Sequence, residues 1–146
     1  MLTRLLNRLT QPEQEPEPEG LVAMAAAALL LEVAWADHEI SDDELALIER
    51  HLRGEFGLSE AEVTELVDES RREHEQSVGL YGYTRTINGA WTEEQKFSLV
   101  TALWRLAMAD DDLHRYEEHT IRKIAELLYL SHDRFIEAKL RVKRGA

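Results

Sequence analysis

The strongest constraint on this chain is that it repeats itself. Ala34-Trp35-Ala36-Asp37-His38-Glu39-Ile40, followed by Glu44 and Ile48, returns 73 residues later. The second copy is Ala107-Met108-Ala109-Asp110-Asp111-Asp112-Leu113, followed by Glu117 and Ile121. Apolar matches alone would describe any two helices of similar burial. The acids also align: Asp37 with Asp110, Glu39 with Asp112, and Glu44 with Glu117. Each copy reads as a long helix, a short acidic turn and a second helix. The predicted fold is therefore all-α, a compact bundle of about seven helices with an internal pseudo-twofold repeat.

The remaining periodicity agrees. Leu21 to Ala36 is predicted as a first long helix; interrupted by Glu32 and followed by Asp37, it is too short an apolar run to span a bilayer and better suited to a buried core. Ser41-Asp-Asp-Glu44 is a capping box that opens a helix carrying Leu45, Ile48 and Leu52, with Gly54 and Gly57 expected to end it. Ser59-Glu-Ala-Glu62 is a second capping box, ahead of Val63, Leu66 and Val67. A shorter helix is expected from Leu80 to Asn88, broken at Asn88-Gly89. Thr92-Glu-Glu-Gln95 caps a helix whose wide apolar stripe includes Phe97, Val100, Leu103, Trp104, Ala107 and Met108. The last two helices are placed at Arg115 to Leu128 and Ser131 to Lys143, the latter facing inward through Phe135, Ile136 and Leu140. Trp35, Trp91, Trp104, Tyr81 and Tyr83 are read as core or hairpin packing, and Arg85 as an internal counter-ion for the acids.

Three segments precede or make up this unit. Residues 1–10 form a short amphipathic segment with Leu2, Leu5, Leu6 and Leu9 in a stripe beside Arg4 and Arg8. At most it makes peripheral membrane contact, and it lacks the pattern of a signal peptide. Residues 11–20 hold all three prolines among glutamates and are expected to be an extended tether. The helical domain is placed at 21–146.

Composition narrows the function classes. A net charge of −12 opposes association with nucleic acid, which needs clustered Lys and Arg to displace counterions. It favours cations or a protein partner with basic features. The chain has no cysteine, so disulfides, thiolate metal sites and a cysteine nucleophile are excluded. No HExxH, glycine-rich phosphate loop or GxSxG elbow occurs. An enzyme is not expected, and the location is taken as cytoplasmic. His114 is placed at a helix N-cap and the other histidines on the surface.

The repeated acids have two readings. Asp37, Glu44, Asp110 and Glu117, with Glu39 and Asp112 as further candidates, are carboxylates suited to a hard divalent cation such as Ca²⁺, Mg²⁺ or Mn²⁺. The same acids suit plain helix-end scaffolding, because a carboxylate in a first turn complements the helix dipole. Ile40 and Leu113 would then plug the two turns. An EF-hand is excluded: its turn-glycine position falls on Asp42 and Arg115, and its final ligand position on Ile48 and Ile121.

Ala-x-Ala-Asp-x-x-[Ile/Leu]-x-x-x-Glu, present twice in one helical unit, resembles the TerB-like family. That family includes bacterial tellurite-resistance TerB proteins and the N-terminal domain of the co-chaperone DjlA. The resemblance spans about Leu21 to Arg141. It is most specific at Leu103 to Asp110, Tyr116 to Ala125 and Ser131 to Lys139. It implies a pseudo-symmetric helical bundle and an acidic divalent-metal site at Asp37, Glu44, Asp110 and Glu117. It also implies a link to tellurite and chemical stress and to membrane-associated complexes. The family usually has glycine after the motif aspartate, where this chain has His38 and Asp111. Neither takes a left-handed turn as readily as glycine. No J-domain follows, so a chaperone role does not transfer.

Overall fold

The computed structural model describes residues 18–34, 40–74, 80–109 and 115–145, with backbone alone at 18, 73–74 and 115–117. Among them are seven helices and no strand. They are α1 (Pro18–Ala34), α2 (Asp42–Phe56), α3 (Glu60–His74), α4 (Leu80–Asn88), α5 (Glu93–Ala107), α6 (Arg115–Leu127) and α7 (His132–Lys143).

α1 is apolar on every side, and a helix of that kind is stable in water only when surrounded. It packs against α2, α3, α4, α5 and α6. From Val22 to Ala34 every residue but Glu32 is buried. The run Ala25–Ala28 presents little bulk, so neighbouring backbones can come close. The helix starts at Pro18, three residues inside the stretch expected to be a tether. Proline fits the first helical position because its fixed φ is already helical and its missing N–H has no partner to lose there. The tether reading of residues 11–17, the segment 1–10 and the acid turns at 35–39 and 110–114 lie outside the described residues. No helix among those described is long and apolar enough to cross a membrane.

The ends of the helices follow from local chemistry. Ser41, Ser59 and Thr92 each accept the amide three residues on, while Glu44, Glu62 and Gln95 return a carbonyl or carboxylate oxygen to the cap amide. Gly54 does not end α2; the helix runs through it to Phe56. Gly57 is the stop, at φ 64, donating its N–H to the Arg53 carbonyl. Left-handed backbone of this kind is what glycine tolerates without a Cβ clash. α6 ends differently. Tyr129 takes φ 60, and Leu130 N–H reaches back to the Ala125 carbonyl. Asn88 closes the end of α4 onto α6 by donating to the Leu127 carbonyl at 2.9 Å.

The two repeats match in burial as well as in sequence. Leu31 and Trp104, Ala34 and Ala107, and Ile48 and Ile121 are each fully buried in their respective copies. Their long helices, α1 and α5, pack against each other, and each also packs on its following helix. α7 is laid across α5. Trp104 donates its indole N–H to the Phe135 carbonyl at 3.3 Å, and their rings meet at 5.1 Å. Arg134 lies 3.7 Å over the Phe97 ring and bonds Glu94 and Glu137. Two expected core residues are not core. Leu140 is exposed, with Phe135 and Ala138 taking the inner face of α7. Tyr81 is exposed too, because α4 turns Thr84 and Ile87 inward instead. Trp91 is half-buried and stacks on Phe56.

Candidate functional site

Of the four carboxylates expected to act together, one is fully described. Glu44 is the third residue of α2, and Glu117 is the third residue of α6. The duplication therefore places both glutamates at one helical position, where a carboxylate meets the unpaired amides of a first turn. Glu44 is buried, and its Oε1 accepts the Ser41 amide at 3.0 Å. The Ser41 hydroxyl oxygen accepts the Glu44 amide at 3.1 Å in return. One carboxylate oxygen is thus committed to closing the turn. A carboxylate has about four acceptor sites, so this bond does not exhaust Glu44. Ile40 packs against the core just before the cap, as a plug for that turn.

Asp37, Glu39, Asp110 and Asp112 lie outside the described residues, as do the Glu117 side chain, His38, Asp111, Leu113 and His114. Among the described residues no three His, Asp or Glu side chains gather in a way that would hold a metal. Arg85, expected as an internal counter-ion, is exposed on α4.

A histidine departs from expectation. His51 is not a surface residue: it is half-buried between α2 and α5, and its Nε2 is sealed from solvent without a hydrogen-bond partner. Burial, helped by the nearby Arg105 guanidinium, lowers its pKa from 6.5 to about 4, so it is neutral at pH 7. Burial also raises the carboxyl pKa of its neighbour Glu55. The signal was present in the sequence. His51 follows Ile48 by three residues and Glu44 by seven, which places it on the buried stripe of α2. His119 and His132 are exposed as expected.

No curated protein and no solved structure matches the chain. A family model does, that of the tellurite resistance protein TerB, over residues 23–140. The match runs from α1 into α7 and takes in both copies of the acid motif, so the chain belongs to the TerB family.

Proposed function

We propose that this protein is a non-catalytic TerB-type module whose paired turn acids bind a divalent cation, in a cytoplasmic response to tellurite or related chemical stress. The observation that carries the reading is positional. Glu44 and Glu117 stand at the same place, third in the second helix of each repeat, within a family match that spans both. Asp37, Glu44, Asp110 and Glu117 would supply hard oxygen ligands for Ca²⁺, Mg²⁺ or Mn²⁺, with Glu39 and Asp112 beside them. The net charge of −12 favours cation capture at long range. TerB is not a known enzyme family, which suits a binding role. Titration calorimetry of the full chain with each cation tests the idea. Saturable binding that disappears in Asp37→Asn/Asp110→Asn is the expected result. No saturable heat, or the same affinity in the double variant, overturns it.

A second reading rests on the Glu44 capping box. There the acids only hold the helix hairpins shut, and the module acts by binding a protein partner. Purification of the native complex should then recover one defined partner, and removal of bound cations should leave that complex intact.

A further inference from the structure

Along the outer side of α2, a shallow groove of ≈ 590 Å³ runs to the start of α3. Its floor is Ala46, Gly54, Gly57 and Leu58, and its rim carries Glu49, Arg50, Arg53 and Glu60. The rim is charge-balanced, two arginines against two glutamates, on a chain of net charge −12. Among the described residues, none of these four side chains has an ion pair or hydrogen bond. Glu49 and Arg53 are four apart on one helix, a spacing at which opposite charges readily pair. They form no pair here. Arg50, Arg53 and Glu60 are exposed, and Glu49 is half-buried.

Gly54 supplies an independent observation. It lies inside α2, where glycine destabilises a helix relative to alanine. A Cβ built there meets nothing within 4 Å, so packing within the chain does not require the glycine. Gly54 and Ala46 are both exposed and both line the groove. What bare backbone offers on an exposed helix is close approach by a second backbone.

We propose that this groove is the interface between two copies of the chain, with the two α2 helices crossing antiparallel about a twofold axis. A twofold interface is one patch meeting itself, so the patch must be self-complementary. Most of an acidic surface repels its own copy. This rim does not, because its charges cancel. When the crossing is centred between Glu49 and Arg53, Glu49 of each chain faces the partner's Arg53. The two ion pairs straddle the axis, and Gly54 lets the helices close on each other. This surface uses none of the repeated acids, so it stands or falls apart from the cation reading.

The test is sedimentation velocity of the full chain from about 1 µM to about 1 mM, the range of weak to moderate association. A reversible monomer–dimer equilibrium is expected within that range. Glu49→Arg alone, or Arg53→Glu alone, sets like charges together twice across the axis and should weaken the dimer about a hundredfold or more. An equimolar mixture of these two variants restores both pairs and should recover the dimer. Gly54→Leu should give monomer while the melting temperature is kept. Should Gly54→Leu fail to fold, the two charge variants and their mixture still decide the matter. Monomer throughout the range overturns the proposal, as does association beyond the dimer, which a closed twofold does not allow. A dimer unchanged by the charge reversals, variants that stay monomeric on mixing, or a full-strength dimer in a folded Gly54→Leu overturns it as well.

Discussion

Glutamine at position 44 separates the two roles assigned to Glu44. The chain contains its own control: at the equivalent place in α5, Gln95 Oε1 accepts the Thr92 amide at 2.9 Å, completing a capping box without a charge. Glu44→Gln should therefore keep the bond to the Ser41 amide. It loses only the interaction of the carboxylate with the helix dipole, a few tenths of a kcal/mol to about 1. Glu44→Ala loses that, the acceptor for Ser41 N–H and the contacts of a buried side chain. A broken cap costs about 1 kcal/mol, so the alanine variant should lie about 1 kcal/mol or more below glutamine. Urea unfolding in EDTA, read by circular dichroism, resolves a difference of this size. A cation at a hundred times its dissociation constant adds about 2.7 kcal/mol to a protein that binds it only when folded. If the carboxylate is a ligand, the wild type gains this and Glu44→Gln does not. Equal losses in the glutamine and alanine variants without cation refute the cap. Full cation stabilisation in Glu44→Gln refutes the ligand.

Two further expectations concern other parts of the molecule. His51 has a folded pKa of about 4 against 6.5 unfolded, so the unfolded chain binds more protons between these values. Its share of stability is intact above pH 6.5 and is lost progressively as pH falls toward 4. His51→Gln should flatten the difference in unfolding free energy between pH 6.5 and about 5, above most carboxylate titrations; superimposable pH curves for the two proteins would count against a buried neutral imidazole. Tyr129 and Gly57 share left-handed backbone at φ 60 and 64, and Tyr129 is 81% exposed. Tyr129→Gly should raise stability by roughly 0.5–1 kcal/mol and Gly57→Ala should lower it by a similar amount. Denaturant midpoints that move in the same direction for both would contradict the assignment of strain.

The bundle was legible because its signals are local. Three capping boxes set helix starts from residues three apart, and the apolar period marks which face turns inward. The matched positions of Glu44 and Glu117 follow from the repeat alone. What escaped depends on tertiary neighbours or on local rules that point two ways. Pro18 reads as tether by composition, yet proline is also a good first helical residue, and only the burial of Gly20 and Val22 behind it decides. Tyr81 and Thr84 are both plausible inward residues on a short helix; contact of α4 with α1 and α6 selects Thr84 and Ile87. The stop of α6 carries no glycine signal, because the left-handed residue there is Tyr129.

His51 shows the same limit at a candidate site. Its spacing from Ile48 puts it on the inner edge of α2, but the α2 sequence contains nothing that says whether water reaches that edge. That is set by α5, more than forty residues along the chain, whose Ala102 is small enough to leave a recess and whose Arg105 charges it. A motif search finds the acids because they recur at the same spacing in two copies. It does not find a recess assembled once, from one face of each of two helices.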